Sequence, residues 1–244
     1  MYLDAYFDAV SQLFERIRSA QRGAIVRAGE AIAASLAKRG ALHVMDTGHM
    51  LRHEAFYRAG GLMAMVPFSY EMKIENPADH RKVEPDSALA ADLEARSVAL
   101  ALDESKIRSG DVLIVNSNSG RTANVIEVAL QCRTRDVFTI GISSAEQMAR
   151  CPVAHPSGKK LFDVVDLGID NCGPYGDALL EVKDNEKMCP GSGLAATYIL
   201  WAIQAEAVER LQAMGINPSI FRSIHVSGRE YVEKQRAAFL EKGI

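Results

Sequence analysis

Val112-Leu-Ile-Val-Asn-Ser-Asn-Ser-Gly-Arg-Thr-Ala-Asn-Val-Ile-Glu-Val-Ala-Leu130 runs an apolar strand into a Ser/Asn/Gly turn and then into a helix. Backbone N–H groups of such a turn, and of the first helical turn, have no intrahelical partners and point where a phosphate would sit. Ser117, Ser119 and Thr122 add hydroxyl donors and Asn118 an amide. Gly120 lets the backbone come close, and Arg121 supplies charge. The same segment also suits a serine-capped turn in any α/β protein. Two Ser, two Asn, a Gly and an Arg within Asn116 to Arg121 tilt the balance toward an anionic ligand. Neither G-x-x-x-x-G-K-[ST] nor G-x-G-x-x-G occurs, so a nucleoside triphosphatase loop and a dinucleotide fingerprint are not supported.

Working outward, Ala41 to Asp46 is a second apolar run, closed by Thr47-Gly48 and followed by an expected helix from His49 to Ala59. Further strands are expected at Leu62–Val66, Val137–Ile142, Asp163–Ile169 and, shorter, Leu179–Val182. Helical spacing recurs in Leu3, Phe7, Val10, Leu13, Phe14 and Ile17, and again in Ile25, Ala28, Ile32 and Leu36, with Gly23 expected to divide two helices. Helices are also expected at Ala88–Leu102, from Ser192 to about Met214, and at Glu230–Lys242. Residues 70–86 are polar and contain proline, as an excursion over the surface or over a site would be. Met63 and Met65 belong to the core in this scheme.

Strands alternating with helices argue for an α/β three-layer sandwich, a mostly parallel sheet covered on both faces. Ligands in such sheets bind beyond the carboxyl ends of the strands. That rule brings Gly48-His49, Asn116 to Thr122 and Ser143-Ser144 to one rim, since each follows a strand.

The 244 residues, 48% hydrophobic and 24% charged, suffice for one α/β domain with appendages: helices over 1–40, a core over 41–214 and a helical segment over 215–244. A formal charge of -3 offers no electrostatic reason to expect nucleic acid or a membrane surface as partner. Cys132, Cys151, Cys172 and Cys189 form no C-x-x-C pair and no zinc spacing, and read as free thiols of a reducing cytoplasm. The N-terminus lacks the basic-then-apolar pattern of a secretion signal, and no apolar run is long enough to span a bilayer.

Asn116-Ser-Asn-Ser-Gly-Arg-Thr122 after a strand resembles the sugar-phosphate loop of SIS (sugar isomerase) domains. Thr47-Gly-His49, Glu54-Ala-Phe-Tyr-Arg-Ala-Gly-Gly-Leu62, Ser157-Gly-Lys-Lys-Leu161, Ile169-Asp-Asn-Cys-Gly-Pro-Tyr-Gly-Asp177 and Ala205-Glu-Ala-Val-Glu-Arg-Leu211 are similar to a subfamily of stand-alone bacterial SIS proteins, so the likeness spans nearly the whole chain. The resemblance implies a five-stranded parallel sheet, a homodimer, a phosphorylated sugar as ligand and a site near the subunit boundary. Ser117, Ser119 and Thr122 carry over as phosphate ligands, helped by Gly120 and the Arg121 amide. Two departures stand out: Met50 where relatives commonly have a serine, and Gly191-Ser192-Gly193 in place of the usual Ser-Thr.

Aldose–ketose isomerisation needs a base beside a carbonyl and a fixed phosphate, but no redox cofactor. In SIS isomerases the base is typically a glutamate with a histidine assisting ring opening, which points to Glu54 and His49. Glu54 and Arg58 equally have the spacing of a surface ion pair. His49 with His53 could share a metal from one helical face, but no third ligand is apparent and no metal is expected. His225 is a weaker candidate from the late segment, and Lys159 and Lys160 either help neutralise a phosphate or lie on a solvated loop. Ser143 and Ser144 suit a second phosphate contact or a helix cap, whereas Asp170, Tyr175 and Asp177 read as turn chemistry. An aldose–ketose phosphate isomerase is therefore expected. The alternatives are a non-catalytic sugar-phosphate sensor, without a helix-turn-helix or basic arm to accompany it, and an amino-sugar-phosphate lyase or deaminase.

Overall fold

The computed structural model describes residues 1–48, 51–73, 75, 80–82 and 86–244. His49, Met50 and parts of the polar 70–86 excursion therefore lie outside the described residues. Strands β1 (Leu42–Asp46), β2 (Met65–Pro67), β3 (Val112–Asn116), β4 (Phe138–Ser143) and β5 (Leu167–Asp170) form one parallel five-stranded sheet in the order β2-β1-β3-β4-β5. The order reverses direction between β1 and β3. In open α/β sheets, that is where a crevice opens at the carboxyl ends of the strands. The register sets Asp46 opposite Asn116, which closes the two central strands at the same height.

Side chains alternate along each strand, and both faces are buried. Val44, Ile114, Ile140, Ile142 and Ile169 join the core beneath α1 (Tyr2–Ala37) and α7 (Ser192–Ala213). Met45, Leu113 and Val115 join the opposite core with residues of α3 (Ser87–Asp103), α4 (Ala123–Thr134) and α6 (Leu161–Val164). Short helices α2 (Leu51–Glu54), α5 (Ala145–Arg150) and α8 (Ile224–Ser227), the C-terminal α9 (Arg229–Lys242) and a 3-10 turn at Lys183–Asn185 complete the helical set among the described residues. None of the described helices is long and apolar enough to cross a membrane.

The expected break at Gly23 does not occur: α1 is continuous from Tyr2 to Ala37. A glycine inside a helix costs about 1 kcal/mol relative to alanine. That is less than the roughly 1.5–3 kcal/mol from burying a single large apolar side chain, and α1 buries Leu13, Ile17, Ile25, Ile32 and Leu36 on one stripe through the glycine. Gly29 on that stripe lets α1 approach α7, since a Cβ there would lie 3.0 Å from the Ala207 amide nitrogen.

Other expectations shift by local causes. The helix expected from His49 to Ala59 is helical only over α2 among its described residues, because Tyr57 takes a positive φ of 58° and ends it. β2 is displaced toward Pro67, which an edge strand tolerates. The strand expected from Asp163 begins only at Leu167, because the first part forms α6 and buries Leu161 and Val164 on one helical face. The short strand expected near Leu179 is β6 (Ala178–Glu181), paired antiparallel with an unanticipated β7 (Lys187–Pro190) in a separate hairpin.

Candidate functional site

A cavity of about 650 Å³ opens where the β1 and β3 ends meet. Its floor is the Asn116 to Thr122 turn, its sides are Asp46 to Gly48, Asn171 and the start of α7, and Tyr6 of α1 closes it together with Cys189 and Pro190 at the end of β7. Of the residues expected from sequence to bind substrate, Gly48, Ser117, Asn118, Ser119 and Thr122 line it, and Asn116, Asp177, Ser192 and Gly193, also singled out there, line it too.

The turn is held rigidly from behind. Asn118 accepts hydrogen bonds at its carbonyl from the Ser144 amide and the Ser143 hydroxyl, each at 3.1 Å, and its side-chain oxygen accepts from Asn171 Nδ2 at 2.9 Å. Gly120 has a φ of 55°, and a Cβ there would sit 2.7 Å from Ser143 Oγ, so backbone angle and space both require glycine. Its carbonyl accepts from the Leu161 amide at 2.8 Å.

The cavity side of the turn is open to a ligand. Thr122 occupies the N-cap of α4 without using its hydroxyl as a cap. The hydroxyls of Ser117 and Ser119 likewise make no hydrogen bond among the described residues. Three hydroxyl-bearing residues therefore line one space beside the N-terminus of a 12-residue helix, an arrangement suited to an anion.

The start of α7 is arranged differently. Asp177 accepts at Oδ1 from the Ser192 amide at 2.7 Å and at Oδ2 from the Ser192 hydroxyl at 2.7 Å. Asp177 thus does turn and capping chemistry. Its φ of 66°, with Cys189 at 64° nearby, marks a rim whose backbone is held in sparsely populated geometry by its surroundings.

The remaining predicted residues fall elsewhere. Ser143 and Ser144 are fully buried behind the turn, where Ser144 caps α5 through the Gln147 amide and donates to the Gly173 carbonyl. Arg121 is half-buried, its Nε is buried without a partner among the described residues, and it is not in the cavity lining. Lys159 lies on the exposed Ser157-Gly158 loop, and Lys160 donates to the Met148 carbonyl at 2.5 Å. Glu54 pairs with Arg58 at 3.5 Å, its side chain 45% exposed and outside the lining, while His49 is outside the described residues. His53 is exposed and His225 sits on exposed α8, neither in the lining.

Asp46 was missed from sequence. The rim rule stops one residue short of it, at the loop after the strand rather than the last strand residue. Tyr6 and Cys189 carried no signal, since one arrives from a distant helix and the other from a hairpin whose second strand, Lys187-Met-Cys-Pro190, is too short to show an alternating pattern. Burial raises the Cys172 thiol nearby to about 11, so it is protonated at neutral pH. A smaller hollow of about 360 Å³ near the opposite strand ends is lined by Lys38, Arg133, Asp111 and Asp136 but has no polar turn of this kind.

A model of the SIS domain matches residues 5–144. A UPF0309 protein of Caldanaerobacter subterraneus subsp. tengcongensis is 32% identical over 240 residues, covering 93% of this chain and 93% of its own. A UPF0309 protein of Listeria innocua is 33% identical, covering 98% of this chain and 95% of its own. Among solved structures, a phosphoheptose isomerase from Francisella tularensis superposes with a TM-score of 0.51 at 12% identity, over 84% of this chain and 96% of that one. That last likeness is one of fold.

Proposed function

The chain belongs to the SIS-domain family, and from that premise we propose that its cavity holds a sugar phosphate and that the protein interconverts an aldose and a ketose phosphate. The observation that carries this proposal is the set of hydroxyls of Ser117, Ser119 and Thr122, without partners among the described residues, around the N-terminus of α4. They donate to the phosphate while the sugar lies toward Asp46 and Tyr6. Fixing the phosphate leaves the carbonyl end free for proton transfer between adjacent carbons, the enediol route. Glu54 is the proposed base and His49 its partner in ring opening. Both follow the Gly48 wall of the cavity by only a few residues.

The chemistry is tested by incubating the protein with aldose and ketose phosphates in deuterated water and following the proton beside the carbonyl. Deuterium incorporation that disappears in Glu54→Gln supports the assignment, and incorporation that persists in that variant removes Glu54 from the mechanism. A second reading, a sugar-phosphate-binding protein without catalysis, is favoured by the Glu54–Arg58 pair lying outside the cavity lining. Binding without exchange or turnover for any sugar phosphate decides for it. Association as a homodimer belongs to the same proposal. Leu3 and Phe7, 61% and 57% exposed on α1, supply apolar surface near the site for it.

A further inference from the structure

Asn118 lines the cavity with a side chain that has two settings of nearly equal shape, amide nitrogen or amide oxygen toward a ligand. A phosphate distinguishes them, because the nitrogen donates to it and the oxygen repels it. The main chain is already fixed: the Asn118 carbonyl accepts from the Ser144 amide and the Ser143 hydroxyl, each at 3.1 Å. The setting is therefore decided by whatever meets the far side of the amide.

Asn171, just after β5, meets it, with its own amide bonded to the Ser143 carbonyl at 2.9 Å. Although part of the cavity wall, Asn171 is 1% exposed and has almost no surface to offer a ligand. Its Oδ1 accepts from the Gly173 amide at 2.8 Å. A backbone amide can only donate, so the atom of Asn171 beside it must be the oxygen, and the atom facing Asn118 must be the nitrogen. Asn171 Nδ2 donates to Asn118 Oδ1 at 2.9 Å, which leaves the nitrogen as the remaining Asn118 atom. Donor direction thus runs from the Gly173 amide through two side chains to the cavity wall. Asn118 Nδ2 has no partner among the described residues, yet it is not closed to solvent as Asp46 Oδ2, Arg121 Nε and Gln204 Nε2 are. On a residue of the lining, that leaves it open to what the cavity holds.

We infer that Asn171 is a positioning residue of this site, turning the Asn118 amide so that Nδ2 rather than Oδ1 meets a phosphate. The inference rests on the cavity being a phosphate site. Asn171→Asp reverses the polarity with almost no change in size. The carboxylate still accepts from the Gly173 amide but has no proton to give Asn118, whose amide must turn over and present its oxygen to the cavity.

A double-mutant cycle read by calorimetric titration of inorganic phosphate at pH 8 tests it. Asn171→Asp is expected to weaken binding about tenfold or more, the range for losing a hydrogen bond to a charged group. In the Asn118→Ala background the same substitution should weaken binding by no more than about threefold, the part due to the added charge alone. Equal losses in the two backgrounds, or full affinity in Asn171→Asp, overturn the inference. Side-chain amide NMR spectra of the wild type decide even if Asn171→Asp folds poorly. Phosphate should shift the Asn118 NH2 pair, identified by its disappearance in Asn118→Ala, together with the Ser119 backbone amide. A shifted Ser119 amide beside an unmoved Asn118 pair overturns the role of Asn171 and leaves the phosphate site standing. If neither moves and no heat of binding is seen, the phosphate site itself is removed and the inference with it.

Discussion

The Ser192 hydroxyl donates to Asp177 Oδ2 at 2.7 Å while the Ser192 amide donates to Asp177 Oδ1 at the same distance, so one carboxylate holds the first turn of α7 in place. Asp177 also accepts from the Gly191 amide, at its carbonyl at 2.8 Å and at Oδ1 at 3.2 Å. A negative charge at a helix N-terminus is favourable, and this one positions a wall of the cavity before a ligand arrives.

Replacing Asp177 with alanine is expected to cost about 1–2 kcal/mol of stability, the range for losing an N-terminal cap. The residue's positive φ makes the loss larger for a β-branched replacement than for Asp177→Asn, which also keeps an acceptor. Urea unfolding of the three variants gives the order directly; equal midpoints for Asp177→Ala and wild type would show that the carboxylate contributes nothing.

At Gly120 the expected effect is larger and reaches the ligand. Gly120→Ala adds a Cβ 2.7 Å from Ser143 Oγ and 3.0 Å from Met148 Sδ at a φ of 55°. Strain at such a position costs on the order of 1–3 kcal/mol. The turn must move to relieve it, so thermal stability and phosphate affinity should fall together. Retention of both would mean that the turn adapts without disturbing its amides.

His43 of β1 and Asp111, just before β3, form a buried pair at 3.0 Å, where Asp111 also accepts from the Ala41 and Arg108 amides. Burial lowers the His43 value below its ordinary 6.5, only partly opposed by the hydrogen bond to Asp111. The folded protein therefore binds this proton less readily than the unfolded chain. Stability from His43 staying neutral is fully present above about pH 6.5 and is lost as the pH falls through the lower folded value. Denaturant unfolding from pH 8 to 5 should show the wild type losing more stability than His43→Gln loses over the same interval. Parallel pH profiles for the two proteins would contradict the assignment.

Cys132, fully buried on α4, has its thiol raised to about 12 by desolvation, against a smaller lowering influence from Arg135. The thiolate is the reactive form, so Cys132 should resist alkylation in the native protein at pH 8 and react only on unfolding. Mass mapping after brief iodoacetamide treatment checks this, and rapid modification of Cys132 under native conditions would show that this core opens readily.

Much of the architecture was legible because the hydrophobic period changes at definite residues. Val112 to Val115 is continuous and apolar, and Val125, Ile126, Val128, Ala129 and Cys132 then recur at helical spacing, so strand, turn and helix separate cleanly. The anion-binding turn was legible for the same reason, since its polar residues stand between two apolar elements. Gly23 misled because a local breaker signal competes with a stripe that only α7 makes decisive. The contribution of β7 and Cys189 could not be read, because their pairing with β6 is set by the hairpin rather than by apolar alternation. Asp46 escaped because a carboxylate at a strand end looks ordinary until Asn116 and Gly48 are seen to hold it at the cavity wall.

The phosphate anchor is tested most directly by titrating glucose 6-phosphate, glucosamine 6-phosphate and inorganic phosphate into wild type and into a variant combining Ser117→Ala, Ser119→Ala and Thr122→Ala. Three hydroxyl donors at about 1 kcal/mol each should weaken binding of every phosphorylated compound by roughly a hundredfold, with a native far-UV spectrum retained. Undiminished binding by the triple variant would place the phosphate somewhere other than the turn between β3 and α4.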